Sequence, residues 1–190
     1  MKFILNNLLL GIQTGGTYIN SDNKNKKLIT IKEILVIIAI SIILPLILFK
    51  FYGIADITGK SMENTLEDNE KVIYKKGGAG KGEIVIIKRF DLSVKYLVKR
   101  IIAVEGDTVE IKDNELYLNN EILDEPYIKE KMKCIDYNKI TIPAGKVFVM
   151  GDNRNKSADS RSSTIGLIDI NDIEGKVIFK LPFFNIIYIN

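Results

Sequence analysis

Residues 95–119 read KYLVKRIIAVEGDTVEIKDNELYLN and give the clearest indication of the fold class. Apolar and polar side chains alternate in DTVEIK (107–112) and ELYLN (115–119), which is typical of half-buried strands. Asp113 and Asn114, a pair that favours a tight turn, lie between these two runs and predict a hairpin. The stretch therefore predicts antiparallel β structure.

Short β-branched runs of the same kind continue on both sides of this stretch. They are separated by turn-forming segments such as KKGGAGKG (75–82), which contains four glycines and is expected to be a loop. No segment after residue 55 has strong helical periodicity, and no internal repeat is seen. The sequence predicts a mainly β domain, folded as one unit over residues 54–190, with strands at 72–74, 83–90, 95–104, 107–112, 115–119, 139–142, 146–150 and 176–181.

An uncharged apolar run, ILVIIAISIILPLILF, occupies residues 34–49. It is slightly shorter than the ~18–20 residues of a transmembrane helix. Apolar flanks, together with Lys32 and Lys50, which can snorkel to the two interfaces, extend it to a predicted transmembrane helix over residues 31–53. One alternative is a fully buried core helix, which a domain of this size rarely surrounds. Another is a cleaved signal peptide, which would normally begin nearer to the first residue.

The charge of the chain is unevenly distributed. The net charge is +3, and residues 1–30 alone hold four lysines against one aspartate, so the rest of the chain is neutral. A neutral body disfavours nucleic-acid binding. Lys24, Lys26 and Lys27 precede the apolar run, and positive residues stay in the cytoplasm. We therefore expect a cytoplasmic basic tail over residues 1–30 and an extracytoplasmic β domain. A single span also argues against a channel or transporter.

The composition restricts the chemistry that is open to this chain. It has no histidine and one cysteine, which excludes Ser-His and Cys-His nucleophile pairs, histidine-containing metal sites and an intrachain disulfide. A general base must then be a carboxylate, a lysine or a tyrosine, and no metal or other cofactor is predicted. Cys134 lies in a polar stretch without an activating neighbour and is expected to be incidental.

Lys99 is the candidate base, and Ser61 is the candidate nucleophile. Apolar neighbours of Lys99 in YLVKRIIAV would desolvate it and the adjacent Arg100 would repel it, and both effects lower a lysine pKa from its ordinary ~10.4. Ser61 follows Thr58-Gly59-Lys60, a flexible turn that can present the hydroxyl and backbone N–H groups to an oxyanion. The alternatives are a solvent-facing strand lysine and an ordinary loop serine.

Four blocks in this order resemble the type I signal peptidase family, membrane-bound Ser-Lys proteases that remove signal peptides from exported proteins. GKSMENTL (59–66) is similar to the nucleophile block of the family, and KGEIVIIK (81–88) to its substrate-binding strand. YLVKRIIAVEGDTVEI (96–111) resembles the general-base block, and GDNRNKSADSR (151–161) is close to the signature string of the last block. The resemblance covers about residues 31–190 and implies that Ser61 and Lys99 are catalytic.

The resemblance also implies roles for further residues. Ser157 would hydrogen-bond the amine of Lys99 and orient it toward Ser61. The backbone N–H of Ser61 would stabilise the oxyanion, with a second donor from the backbone of Gly59. A charged scaffold would hold the loops together through Arg100, Asp152, Asp159 and Arg161. Small apolar pockets for alanine-like side chains of the signal peptide would be lined by Ile57, Met62, Leu66, Ile84, Ile86 and Val98.

One departure and two competing functions remain. Asn64 stands where the family commonly has proline, so the nucleophile loop is expected to be less rigid.

By resemblance, the partners are preprotein signal peptides, the lipid bilayer and nearby export machinery. An inactive, membrane-tethered binding or assembly accessory of the same fold is disfavoured because both dyad residues are present. A self-cleaving SOS-type protein shares the Ser-Lys chemistry, but such proteins are cytoplasmic and carry a DNA-binding or cofactor region.

Overall fold

The protein is described from a computed structural model that covers residues 30–88, 96–134 and 136–181. The basic tail, including the three lysines that carry the topology prediction, lies outside these residues except for Thr30. So do the predicted strand ends at 89–90 and 95. The chain divides into two compact units between Ile43 and Leu44.

Helix α1 spans Ile31–Phe51 and contains the predicted apolar run. It begins with reciprocal capping, because the Thr30 N–H donates to the Glu33 carboxylate at 2.8 Å and the Glu33 N–H donates to Thr30 Oγ1 at 3.4 Å. The helix is long and apolar enough to cross a membrane, and none of its residues is buried. A core helix would have to be buried, so that alternative is wrong.

The β unit is built on two antiparallel sheets, and the predicted mainly β fold is confirmed. The larger sheet has seven strands in the order β1-β2-β11-β3-β4-β9-β10, and the smaller has four in the order β7-β6-β5-β8. The bounds are β1 Tyr52–Asp56, β2 Lys71–Lys76, β3 Ile84–Lys88, β4 Tyr96–Ala103, β5 Thr108–Lys112, β6 Glu115–Leu118, β7 Glu121–Ile122, β8 Tyr137–Thr141, β9 Lys146–Met150, β10 Ile168–Asp169 and β11 Ile173–Leu181. After β1, the described residues hold no helix beyond the 3₁₀ turns Arg154–Lys156 and Ile170–Asp172.

The predicted hairpin forms between β5 and β6. Lys112 pairs with Glu115, and the two residues between them, Asp113 and Asn114, have φ of 54° and 64°. Positive φ at both central positions is the geometry of a type I′ turn, which follows the right-handed twist of the two strands.

Strands β1, β7 and β10 were not predicted from the sequence. β7 and β10 have two residues each, too few for a hydrophobic pattern. β1 continues directly from the apolar run and pairs with β2 from Tyr52↔Lys75 to Asp56↔Lys71. The helix therefore ends at Phe51, before the predicted boundary at residue 53, because Tyr52 and Gly53 are already in the sheet.

The sheet order brings two loops to the same strand. β4 lies between β3 and β9, and the polar segment 151–161 follows β9 directly. The loop after β1 is held by its own apolar side chains, which insert into a buried cluster with residues of the sheet: Ile57, Met62, Leu66, Val72 and Ile86. Side chains of β4 therefore face residues from both loops.

Candidate active site

Ser61 and Lys99 are in direct contact. The Lys99 side chain leaves β4 with 3% of its surface exposed, and its Nζ donates to Ser61 Oγ at 2.8 Å. Ser61 lies in the turn after β1, next to Met62, which is 1% exposed and anchors the turn in the apolar cluster. The structure therefore brings the candidate nucleophile and the candidate base within hydrogen-bond distance without a third group between them.

Burial lowers the pKa of Lys99 to about 8 from its ordinary 10.5. The carboxylate of Asp159 opposes this shift, and the guanidinium of Arg161 adds to it. The expected repulsion by Arg100 is wrong, because successive side chains of a strand point to opposite faces and Arg100 faces away from Lys99. The like charge that acts on the amine comes from Arg161, 62 positions further along the chain.

Arg100 instead binds Asp152. Its Nε donates to Asp152 Oδ1 at 2.8 Å and its Nη2 donates to Oδ2 at 2.6 Å, while the carboxylate is fully buried. Thr65 Oγ1 donates to the same carboxylate from the Ser61 loop. The guanidinium also lies 4.0 Å from the ring centroid of Tyr127. Asp152 thus links β4, the Ser61 loop and segment 151–161.

Asp159 and Arg161 form the second buried pair. Arg161 Nε donates to Asp159 Oδ1 at 2.7 Å and Nη2 donates to Oδ2 at 2.8 Å. The Gly151 N–H donates to Asp159 Oδ2 at 3.0 Å, and Arg161 Nη2 also donates to the Arg154 carbonyl at 2.8 Å. These bonds close segment 151–161 on itself beside Lys99.

Ser157 does not make the expected bond to Lys99. Its hydroxyl oxygen is buried and has no hydrogen-bond partner, whereas Lys99 Nζ donates to Ser61 Oγ. The Ser157 side chain lies instead against Gly151. A Cβ on Gly151 would come within 2.3 Å of Ser157 Oγ and 2.4 Å of the Ser61 carbonyl oxygen, so only glycine allows this close approach. Ser157 Oγ and the Ser61 backbone are therefore close neighbours.

Gly59 is not free to donate to an oxyanion. Its N–H donates to Asp68 Oδ1 at 2.7 Å, and its φ of 91° favours glycine. The expectation that Gly59 supplies a second oxyanion donor is therefore wrong in this conformation, because its N–H already donates a hydrogen bond to the Asp68 carboxylate. This bond joins the two ends of the Ser61 loop.

Sequence reasoning missed three buried polar residues of segment 151–161, namely Asn153, Arg154 and Ser160. Arg154 pairs with Glu125 through Nη1 and Nη2, each 2.5 Å from a carboxylate oxygen, and its Nε donates to the Gly151 carbonyl at 3.0 Å. Asn153, 1% exposed, donates from Nδ2 to the Lys60 carbonyl at 2.9 Å and from its backbone N–H to the Ser61 carbonyl at 3.0 Å. The signal was their place in GDNRNKSADSR, in which Asp152, Ser157, Asp159 and Arg161 were assigned roles.

An open cleft of about 740 Å³ leads to Ser61 and Lys99. Four of the six predicted pocket residues line it: Ile57, Met62, Ile86 and Val98. Leu66 and Ile84 do not line it and belong to the apolar cluster beneath, where Leu66 is 1% exposed. The wall also includes residues that were not predicted, namely Ile54, Tyr74, Tyr96, Leu97, Lys156 and Ala158. No group of three or more potential metal ligands occurs among the described residues.

The chain is similar to known proteins over most of its length. The family model described as signal peptidase, peptidase S26, matches residues 28–182. Signal peptidase I of Bacillus licheniformis is 36% identical over 180 residues, which is 87% of this chain and 94% of that protein. Signal peptidase I P of Bacillus subtilis subsp. natto is 38% identical, covering 81% of this chain and 88% of that protein. Signal peptidase IB of Staphylococcus aureus strain COL is 38% identical, covering 80% and 91%.

Proposed function

The chain belongs to the signal peptidase family, peptidase S26, and from that membership we propose that it cleaves signal peptides from preproteins with a Ser61-Lys99 dyad. Such an enzyme is a serine endopeptidase. The observation that carries the residue assignment is the 2.8 Å contact between Lys99 Nζ and Ser61 Oγ, made by a buried amine whose pKa is lowered to about 8. At neutral pH about a tenth of the enzyme then holds the amine in the neutral form that can accept a proton.

Acylation uses the dyad as nucleophile and base. The neutral Lys99 amine accepts the Ser61 hydroxyl proton while Oγ attacks the scissile carbonyl carbon. The electron pair of the carbonyl moves to its oxygen, and the Ser61 N–H stabilises the resulting oxyanion. The carbonyl then re-forms, the C–N bond breaks, and the Lys99 ammonium gives its proton to the departing amine. An ester on Ser61 and the mature protein result.

Deacylation repeats the cycle with water. The Lys99 amine accepts a proton from the water that attacks the ester carbonyl carbon. The bond between that carbon and Ser61 Oγ then breaks, the Lys99 ammonium returns the proton to Oγ, and the signal peptide leaves as a carboxylate after its acid proton passes to solvent. In the ester, Ser61 Oγ no longer carries a proton for the amine. The buried, unpartnered hydroxyl of Ser157 is then available to hold Lys99 Nζ for the second half of the reaction. We therefore propose that Ser157 acts after acylation rather than before it.

The cleft suits small apolar side chains. Ile57, Met62, Ile86 and Val98 present an apolar wall next to Ser61, and three of the four are at most 3% exposed. Tightly packed walls resist expansion, because adding methylenes to a packed site costs about 1–3 kcal/mol. We expect alanine-like residues at the first and third positions before the cut, and poor cleavage when either is enlarged to leucine.

The apolar helix near the N-terminus and the membership in the signal peptidase family indicate a membrane-bound protein. We propose that α1 is the segment that crosses the bilayer. Our proposal for its organisation is a cytoplasmic tail over residues 1–30, a membrane segment over 31–53 and an extracytoplasmic catalytic domain over 54–190, working beside the export machinery. Lys24, Lys26 and Lys27 support this orientation. Protease added to wall-stripped cells should digest the β domain and spare a tag at residue 1. Digestion of the tag with the domain protected would reverse the orientation.

The proposed activity is tested on the full chain in detergent with a purified preprotein. Wild type should release the signal peptide, and Ser61→Ala and Lys99→Ala should each fall below about 1% of the wild-type rate. The double variant should be little worse than either single variant, because residues that act as a unit are not additive. An inactive accessory would release nothing at all. Substantial cleavage by either single variant would contradict the dyad.

A further inference from the structure

Asn153 binds the backbone on both sides of Ser61. Its Nδ2 donates to the Lys60 carbonyl at 2.9 Å, and its own N–H donates to the Ser61 carbonyl at 3.0 Å. The residue is 1% exposed, although asparagine is a residue that usually stays at the surface. Its place in the fold therefore fixes the two peptide groups that flank the nucleophile.

The bond from Asn153 to the Lys60 carbonyl also orients the Ser61 N–H, which Asn153 does not contact directly. The carbonyl of Lys60 and the N–H of Ser61 belong to one peptide unit, which is planar and trans, so they point in opposite directions. Holding the Lys60 carbonyl toward Asn153 thus holds the Ser61 N–H away from Asn153. The preceding Gly59 has φ of 91° and gives the loop little stiffness of its own.

The contact requires a donor at this position. Asn153 Oδ1 is buried without a hydrogen-bond partner, whereas Nδ2 has the Lys60 carbonyl. Turning the amide over would place Oδ1 against the Lys60 carbonyl, and two acceptors would face each other. A buried oxygen without a partner is unfavourable. The fold nevertheless keeps the bond from Nδ2 to the Lys60 carbonyl and leaves Oδ1 unpaired.

We propose that Asn153 is a positioning residue for the oxyanion, aiming the Ser61 N–H at the developing negative charge through the Lys60 carbonyl. The inference rests on the proposed function, because it takes Ser61 as the nucleophile. The Gly59 N–H is bound to Asp68 and is not free to act as a second donor, so stabilisation of the oxyanion depends more heavily on the Ser61 N–H. Misalignment of the Ser61 N–H should slow the chemical step and leave peptide binding intact.

The test compares Asn153→Ala with Asn155→Ala in the full chain in detergent. Asn155 lies in the same segment and also makes two bonds, donating from Nδ2 to the Lys131 carbonyl at 3.1 Å and accepting from the Lys133 N–H at 2.8 Å, but it touches neither peptide group of Ser61. The readouts are kcat and KM for a signal peptide, the pH midpoint of kcat/KM and the affinity for a peptide boronate. The boronate forms a tetrahedral anion on serine, so its affinity reports how well the site stabilises an oxyanion. The affinity for the uncleaved peptide reports ground-state binding.

For Asn153→Ala we expect kcat to fall by about 100-fold, as for loss of one oxyanion donor. KM and the pH midpoint should stay at their wild-type values, boronate affinity should fall with kcat, and Asn155→Ala should behave as wild type. If Asn153→Ala fails to fold, Asn153→Asp decides: it keeps the shape without the donor, and on the high-pH plateau it should show the same loss.

Two results would overturn the inference. One is a kcat for Asn153→Ala that lies within about two-fold of the kcat for Asn155→Ala. The other is an equal loss of boronate and peptide affinity, which is what a merely structural role produces. Absence of cleavage by the wild type would overturn the proposed function, and this inference with it. Cleavage by the wild type together with an unaffected Asn153 variant would overturn this inference alone.

Discussion

Lys99 and Arg100 are consecutive in β4, and their side chains leave the strand on opposite faces. Lys99 Nζ reaches Ser61 Oγ at 2.8 Å, and the Arg100 guanidinium reaches the buried carboxylate of Asp152. The first contact belongs to the dyad and the second to the scaffold that joins β4 to segment 151–161. Different charged groups surround the two side chains. The groups that shift the pKa of Lys99 are therefore separate from the Arg100–Asp152 pair that holds the loops together.

Arg161 and Arg100 give a matched pair of variants for this separation. Arg161→Gln removes a cation that lowers the pKa of Lys99 and leaves Asp159, which raises that pKa, without its cationic partner. The pH midpoint of kcat/KM should therefore move upward. Arg100→Gln should leave the midpoint unchanged, since Arg100 faces away from the amine. It should lower stability by about 3 kcal/mol, because the buried Asp152 carboxylate loses its cationic partner. Equal midpoint shifts in the two variants would contradict this assignment.

Lys99→Met should stabilise the folded protein at neutral pH. The folded pKa of Lys99 is about 8 and the ordinary value is 10.5, so below pH 8 the folded state holds a buried ammonium at a cost of about 3 kcal/mol. Between pH 8 and 10.5 the folded state releases this proton while the unfolded state keeps it, so the cost is relieved as the pH rises.

The measurement is the melting temperature of both proteins in detergent at pH 7 and at pH 10. Methionine fills the site without a charge, so the variant should melt higher at pH 7, and the difference should shrink at pH 10. Comparison at each pH cancels the titration of the other lysines and the tyrosines. A variant that melts lower than wild type at pH 7 would show that the buried amine is not destabilising.

Ser157→Ala should raise stability and lower activity. A buried hydroxyl without a partner costs about 1–3 kcal/mol, so its removal should raise the melting temperature. The kcat should fall by about 10–1000-fold if Ser157 receives Lys99 after acylation, since misplacing a catalytic group is expensive.

The matched control is Ser160→Ala. Ser160 Oγ accepts from the Val149 N–H at 2.9 Å, so this hydroxyl has a partner and its loss should lower the melting temperature. In burst experiments, Ser157→Ala should accumulate the ester on Ser61, because only the second half of the reaction is slowed. A normal kcat for Ser157→Ala would remove Ser157 from the mechanism.

The features that depend on local chemistry could be predicted from the sequence. Asp113 and Asn114 determine their own turn, and the alternation in β5 and β6 determines which faces are buried. The same alternation could have placed Lys99 and Arg100 on opposite faces of β4, but reasoning from neighbours in the chain assigned both to one environment.

The rest of the site depends on contacts between distant segments. Arg161 acts on Lys99 only because β9 lies beside β4. The Gly59 N–H is taken by Asp68 because the Ser61 loop closes on itself, and no local pattern encodes that closure. Strand β1 likewise forms only because β2 is present to pair with it.

The central claim is that a buried lysine, whose pKa is lowered by its surroundings, activates Ser61. The most direct measurement is kcat/KM against pH, from pH 6 to 11, for the full chain in detergent with an alanine-containing signal peptide. Because the neutral amine is the active form and its pKa is lowered to about 8, the rate should rise with pH to a midpoint near 8 and then level. A midpoint close to the ordinary lysine value of 10.5 would show that burial does not lower the pKa of Lys99, and the mechanism would fail.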